Sequence, residues 1–355
     1  MQLIPLKTVF LAESKTWPRF TLLGQIVGST VLALETILRF RPDLFIDTAG
    51  FPFIYPIIKL FNCRLVAYVH YPFISNDMIQ KLQIKSYNNS GAIASNSVLR
   101  NSKIMYYKAL SKIYSLCGQC CDLAFTNSTW TNGHIIRSWT ECQAVKIVYP
   151  PCDLSPFTDR ITIKRKKSDS IQVLSLSQFR PEKNHRLQLE IAAQVLKKSS
   201  NIKFVFVGGC RGVEDECRVK ELKDYAESLK ISDSVEFKVN LPYDELLEAL
   251  QTATIGLHTM TEEHFGIGIV ELMAAGLITI AHNSGGPRAD IIKKDIGFLC
   301  SSTSEYSETI LKIASMNETD RINMAARARE NVVDRFSGEI FAKKFADNVK
   351  SILIK

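Results

Sequence analysis

The 355-residue sequence lacks an internal repeat, a low-complexity tract, an uninterrupted hydrophobic run of membrane length and a G-x-G-x-x-G dinucleotide fingerprint. Each absence excludes something. The first residues, MQLIPLKTVFLAESK, are too polar to read as a secretory signal. The most apolar stretch, Phe20 to Phe40, has roughly the length of a bilayer span, but Gln25, Glu35 and Arg39 interrupt it. It therefore reads as a buried or interfacial helix, and the chain as soluble or peripherally attached, without a clear transmembrane helix. The nine cysteines are odd in number and irregularly spaced. Cys117, Cys120 and Cys121 form a C-x-x-C-C cluster with no second cluster to complete a metal site. Reduced, mostly buried thiols in a cytosol-facing protein are the expectation. On that side the N-x-S/T triplets at Asn88, Asn127 and Asn317 would carry no glycan. Charge of one sign is not concentrated either. The net charge of +8 suits an anionic partner, such as a phosphorylated substrate or a lipid surface, and does not single out nucleic acid. The one basic run, Lys164 to Lys167, reads as a solvated linker.

With 46% apolar and 23% charged residues, the chain has the composition of a folded protein, and its length predicts two domains. Short apolar runs alternate with helical patterns, which predicts an α/β class with parallel sheets. In the first half the runs are DLFIDTAG, RLVAYVHYP, CDLAFTNS and KIVYPP; in the second they are IQVLSLS, IKFVFVGG, VEFKV, ATIGLHT and LITIA. Helices are expected over 102–116, 186–198, 215–229 and 339–353. The expected layout is a Rossmann-like domain over 1–160, a linker over 161–170, a second Rossmann-like domain over 171–335 and a closing helix over 336–355. Two such halves imply a cleft, with ligands beyond the carboxyl ends of the strands.

The candidate residues follow strand ends. After IQVLSLS comes QFRPEKNH, where Arg180 and Lys183 leave a proline turn at the start of a helix, a place that suits a diphosphate or else merely solvates two charges. Gly208 and Gly209 permit close backbone approach to a ligand, or serve the turn alone. TEEHFGIGIVELMAAG holds Glu263 and Glu271, eight positions apart, around a glycine turn entering an apolar helix. The amides of Gly266 and Ile267 can meet a phosphate or sugar oxygen, and the two carboxylates can accept from sugar hydroxyls. The plainer alternative is that both acids favour the helix dipole. The double glycine of HNSGGP either faces the cleft or is structural. His70 closes the strand in AYVHYP, as a site residue or as a satisfied turn histidine.

Together, EHFGIGIVE resembles the E-x7-E motif of retaining GT-B glycosyltransferases and RPEKN their phosphate-binding turn. SQFRPEKNH, IGLHTM, AHNSGGP, YVHYP and IVYPPCD are, more narrowly, similar to the GDP-mannose-dependent α-1,2-mannosyltransferases of asparagine-linked glycosylation. The resemblance runs from Phe20 to the C-terminus. It implies the GT-B fold, two Rossmann-like domains facing a central cleft. It also implies retaining transfer of mannose from GDP-mannose to dolichol pyrophosphate-linked oligosaccharide, on the cytosolic face of the endoplasmic reticulum membrane. Carried over by position, Lys183 holds the donor diphosphate with Arg180 nearby and Gly209 beside the donor. Glu263 contacts the transferred mannose, Phe265, Gly266 and Ile267 offer backbone around sugar and β-phosphate, and Glu271 binds the ribose. His70 approaches the mannose from the first domain. No cofactor and no metal is implied, since cations and helix N-termini take the leaving diphosphate. Partners implied are the two substrates, the cytosolic membrane surface and other mannosyltransferases of the pathway, with no nucleic acid.

Two departures qualify the resemblance. Gln178 stands where many relatives carry a basic residue, and the family's N-terminal part, with its anchor and glycine-rich loop, is expected to be missing. A first sheet without its opening strand would leave an unpaired edge. The alternative function is therefore a catalytically silent, truncated form that binds nucleotide-sugar or a partner transferase. A starch- or sucrose-type transferase, sharing the glutamate pair, is a further reading.

Overall fold

The computed structural model describes residues 4–18, 21–73, 97–140, 142, 144–165 and 170–353. The chain divides into two compact units, Met1–Val148 with Phe345–Lys355, and Tyr149–Lys344. The division thus falls ahead of the expected 160, the segment expected as a linker belongs to the second unit, and the last helix ends in the first.

The first unit is a four-stranded parallel sheet, ordered β1 (Leu44–Asp47), β2 (Arg64–Val69), β3 (Leu123–Thr126), β4 (Val145–Ile147). Leu65 to Val69 and all of β3 are buried, as unbroken apolar runs in a parallel sheet must be. Its helices are α1 (Thr21–Phe40), α2 (Tyr55–Leu60), α3 (Ser97–Gln119) and α4 (Thr129–Ser138). α4 starts where Ser128 accepts the Thr131 N–H, an N-cap. Asp47, ending β1, accepts the N–H groups of Ala49, Gly50 and Phe51 and the Tyr55 hydroxyl, which fixes the turn into α2. Trp139 fills the core beside α3, so close to Gly118 that an added Cβ there would sit 2.1 Å from its ring. Among the described residues β1 pairs only with β2 and so forms one edge of the sheet.

The second unit carries a six-stranded parallel sheet in the order β10-β9-β8-β5-β6-β7. The strands are β5 (Ile171–Leu176), β6 (Ile202–Gly208), β7 (Val235–Val239), β8 (Ile255–Leu257), β9 (Ile278–His282) and β10 (Phe298–Cys300). The helices are α5 (Ser155–Arg160), α6 (His185–Leu196), α7 (Val213–Ser228), α8 (Tyr243–Thr252), α9 (Ile267–Ala274), α10 (Thr303–Ser315) and α11 (Glu318–Phe336). A final helix, α12 (Gly338–Leu353), crosses the unit boundary in sequence. Two apolar clusters sandwich the sheet. The order places β5, β6 and β8 side by side, so the turns that follow them meet above one edge of the sheet.

The basic run is not simply solvated. Arg165 donates to the carbonyls of Ala275 (2.7 Å) and Gln251 (3.3 Å), and burial, then the nearby Arg329 charge, pull its pKa down to about 10. An arginine satisfies buried loop carbonyls that no backbone N–H reaches, which a count of charges does not anticipate. Lys166 and Lys167 lie outside the described residues, as does Asn88. Asn127 is buried and Asn317 caps α11, so neither is presented as a surface triplet. All nine cysteines are free thiols; Cys63, Cys117, Cys121, Cys152 and Cys300 are buried and only Cys217 is exposed.

Candidate active site

The site grows from three strand ends of the second unit. After β5 the chain turns through Pro181–Lys183 and a left-handed Asn184 (φ 53°) into α6. The Thr259 hydroxyl, just past β8, donates to the Lys183 carbonyl at 3.0 Å and accepts from the Gln188 amide at 2.9 Å. These bonds fix where Lys183 leaves the backbone. Its ammonium donates to Glu263 Oε2 at 2.6 Å and lies 3.2 Å from the Met260 sulfur.

Glu263 sits in the loop between β8 and α9, largely shielded from solvent. His258 Nε2 stands 3.3 Å from the same Oε2. Burial works against the charge, but the His258 hydrogen bond and the Lys183 ammonium outweigh it and hold the carboxyl down at about 2. Both partners use one oxygen. Among the described residues Oε1 has no hydrogen-bond partner, so an ionised acceptor remains open.

The helix that follows begins at Gly266, whose φ of 113° only glycine adopts without strain. Phe265 turns inward, stacked on Tyr149 at 5.7 Å and edge-on to Phe336 at 5.2 Å, so only its backbone is left to meet a ligand. The first N–H groups of α9 have no intrahelical acceptor and carry the positive end of its dipole. Ile269, Val270, Leu272 and Met273 are buried, which leaves Ile267 and Glu271, one turn apart, on the outer stripe. Glu271 behaves unlike Glu263. No side chain pairs with it among the described residues, and burial alone pushes it up to about 7.

The glycines after β9 answer a structural need. Gly286 donates its N–H to the Glu263 carbonyl at 2.8 Å, and a Cβ there would meet Phe265 Cα at 2.6 Å. Ser284 accepts the Glu262 N–H, so the HNSGGP turn clamps the loop that carries Glu263. Gly208 is likewise forced, since a Cβ would lie 1.9 Å from the Ser177 carbonyl oxygen. Gly209, beside it, meets only Asn240 Oδ1 at 3.6 Å.

The structure thus brings Lys183, Glu263 and the start of α9 together, with Glu271 one turn on and Gly209 at the neighbouring strand end. Arg180 stands apart from this group: it borders a hollow of about 180 Å³ with Pro181, Asn184, Arg218 and Tyr225. His70 directly follows β2 in the first unit, exposed, with its ring 4.9 Å from that of Tyr68. His258 was missing from the expected set. Its only sequence signal is its place at the end of ATIGLH, beyond β8; the contact that gives it a part, with Glu263, is made by folding. His185 is a second omission. Burial drops its pKa to about 4, so it is a neutral ring bonded to Ser177 at 3.1 Å beneath the Pro181–Lys183 turn.

Residues 1–139 match the family model described as ALG11 mannosyltransferase N-terminus, and residues 157–332 match Glycosyl transferases group 1. The expectation that the family's N-terminal part would be missing is corrected by the first match, which begins at residue 1. The chain is 43% identical over 364 residues to the GDP-Man:Man(3)GlcNAc(2)-PP-Dol alpha-1,2-mannosyltransferase of Homo sapiens, spanning 99% of this chain and 74% of that protein. The Dictyostelium discoideum protein of the same description is 42% identical, over 99% of this chain and 72% of its own length. Among solved structures, a sucrose-phosphate synthase from Thermosynechococcus elongatus superposes with a TM-score of 0.71 at 14% identity, covering 95% of this chain and 80% of that one. A glycosyltransferase from Rickettsia africae gives 0.69 at 17% identity, covering 93% and 82%. At such identities the likeness is one of fold, and it is the GT-B fold.

Proposed function

The chain belongs to the ALG11 mannosyltransferase family, whose members use GDP-mannose to form α-1,2 linkages on dolichol pyrophosphate-linked oligosaccharide, and from that premise we propose that Lys183, Glu263, Glu271 and the start of α9 hold the donor. The protein is a hexosyltransferase. The acceptor named for its relatives, Man(3)GlcNAc(2)-PP-Dol, is the acceptor assigned to it. One observation carries the donor assignment: Glu263 is kept ionised through one oxygen by Lys183 and His258 while its other oxygen is open, beside unpaired helix-start amides.

In this reading Glu263 Oε1 accepts from hydroxyls of the transferred mannose. The Lys183 ammonium, which has three protons to donate, stays on Glu263 and also reaches the diphosphate. The Gly266 and Ile267 amides take β-phosphate oxygens, with Gly209 giving backbone room beside them. Glu271 accepts from the ribose hydroxyls, and Arg180, on its separate hollow, is kept from the family motif only as a secondary cation. His70, carried over from the family motif, touches the mannose. The bond from mannose C1 to the β-phosphate oxygen breaks and GDP leaves. The acceptor 2-hydroxyl oxygen bonds to C1 with retention, and its proton passes to the departing phosphate. Charge on that phosphate is met by Lys183 and α9 rather than by a metal.

The protein is assigned to the cytosolic face of the endoplasmic reticulum membrane, in the N-glycosylation pathway. The experiment is a titration with GDP and UDP, then transfer from GDP-mannose to a lipid-linked acceptor with and without chelator. The expected outcome is GDP-selective binding, chelator-insensitive transfer and an α-linked product. Equal binding of UDP, or a β-linked product, overturns the assignment.

A further inference from the structure

The first unit has a helical layer whose exterior is the reverse of a water-facing one. Along α1 the buried residues are Gly24, Gly28, Ser29, Ala33 and Ile37, all small but the last. Its exposed stripe is large and apolar: Leu23, Val27 (57% exposed), Val31 and Leu38 (69%). A surface helix in water shows the opposite arrangement. Small residues inward and large apolar residues outward is how helices pack when their surroundings are lipid.

Of the polar residues that break the apolar run, Gln25 and Glu35 do not face outward; Arg39, near the end of α1, is exposed and pairs with Glu35. The Glu35 carboxylate accepts the Lys7 and Thr8 N–H groups (both 3.0 Å) and the Thr8 hydroxyl (2.7 Å) from the segment preceding α1. The Gln25 amide donates to the Ala12 carbonyl at 3.2 Å, and the Trp17 indole donates to the Leu11 carbonyl at 2.7 Å. This strap and α1 therefore satisfy each other's polar groups. A Cβ at Gly28 would collide with the Leu11 carbonyl, so the fit is backbone against backbone.

The same exterior continues past α1. α1 and α3 both pack on the short turn Pro52–Ile54, and α2 touches both, so the three helices form one layer. Leu60 (81% exposed) and Phe61 extend its apolar surface at the end of α2; Met105 (74%), Ile113 and Leu116 do so on α3. The charge on the layer has one sign. α3 carries Lys103, Lys108 and Lys112 and, over its described side chains, no acid, while Arg39 and Lys59 on α1 and α2 are paired with Glu35 and Asp122.

We propose that this layer rests flat on an anionic lipid surface, the α1 stripe in the headgroup–acyl boundary and the α3 lysines over phosphates. The inference rests on the reading that the acceptor is carried by a lipid, and it names the face that meets that lipid's bilayer. α1 has the length to cross a bilayer, but its polar residues and its glycines are tied to the strap and Ala33 and Ile37 to the unit's core, so it lies in the plane. A second copy of the chain fits less well. In a twofold contact the cationic layer would face its own like charges, whereas anionic headgroups complement them.

Flotation of the full chain with vesicles of phosphatidylcholine, with and without phosphatidylserine, tests this. The expected result is flotation with the anionic vesicles, weakening as salt is raised. Lys108→Glu with Lys112→Glu is expected to cut the bound fraction about tenfold or more. Val27→Asp with Leu38→Asp removes binding to either vesicle. All variants keep wild-type GDP affinity, carried by the second unit, and a wild-type melting curve and far-ultraviolet circular dichroism, which report that the first unit is folded. The proposal is overturned if wild type stays at the bottom of the gradient or if the aspartate variant floats like wild type. It is equally overturned if sedimentation finds a dimer that the aspartates dissolve, since the face then belongs to a second copy. Loss of GDP binding with flotation intact would sink the donor reading and leave this one standing; the reverse pattern separates them the other way.

Discussion

The two units share a plan, a parallel sheet covered by helices, yet dispose of apolar surface in opposite ways. Among the described residues, every exposed large apolar side chain except Val213, Tyr243 and Ile267 lies in the first unit. The second unit closes its core and keeps its open positions for polar work at the strand ends, where Lys183, His258 and Glu263 converge. The first spends apolar residues on a helical exterior that no core requires. On the two proposals above, one unit holds a small charged ligand and the other meets a broad soft surface, so substitutions in each should disturb different measurements.

The largest effect is expected at Glu263. Glu263→Ala leaves Lys183 and His258 facing each other without the carboxylate, and breaking such a shielded pair costs about 3–5 kcal/mol. If that whole cost falls on the transition state, transfer should fall by roughly two to four orders of magnitude, read as kcat/KM with GDP-mannose. Flotation with anionic vesicles should be unchanged. If flotation falls in parallel, the units are not functionally separate. Lys183→Ala comes next: removal of one charged phosphate contact costs about 2–3 kcal/mol, chiefly in kcat. Wild-type turnover in that variant would remove the lysine from the mechanism.

The next effect is a dependence on pH. Burial lifts the Glu271 carboxyl from 4.5 to about 7, so between those values the folded protein holds a proton that the unfolded chain has lost. Stability of the unliganded protein is therefore greatest below pH 4.5 as far as this group is concerned. It declines as pH rises to about 7 and is level above that. Donor binding runs the other way, because only the carboxylate accepts from two ribose hydroxyls. GDP-mannose, whose diphosphate has no proton to lose near neutrality, should bind more tightly as pH rises through about 7. Glu271→Gln should flatten both profiles, measured by melting temperature and by titration. A wild-type slope retained in that variant would place the titrating group elsewhere.

How far these assignments were legible depends on range. β5, β6, β8 and β9 are predominantly apolar runs ending in polar turns, so their place and the line of candidate residues after them could be read locally. β10 could not, being three residues, Phe298–Cys300, paired on β9 alone. His258 was passed over because its partner lies across a loop, and HNSGGP was ambiguous because the backbone its glycines touch, Glu263 to Phe265, is distant in sequence. Gln25 and Glu35 misled in the opposite sense. In sequence they interrupt an apolar helix; in space the strap takes them inward, and the outer stripe is apolar without a break. What sequence withholds, in each instance, is the partner rather than the element.

The smallest expected effect sharpens the comparison most. Leu38→Ser and Val27→Ser remove apolar side chains that touch water instead of core, so each should move stability by less than about 0.5 kcal/mol. A similar truncation of Leu250 or Ile280, fully buried in the second unit, should cost several times that through lost transfer energy and the cavity left behind. Melting curves in vesicle-free buffer compare the two directly. Equal losses would mean that the α1 stripe is covered by protein in solution, and the contrast between a closed unit and an open one would fail. Near-zero loss at Leu38 and Val27 would mean that these side chains are retained for something outside the fold, since stability alone gives no reason to keep them.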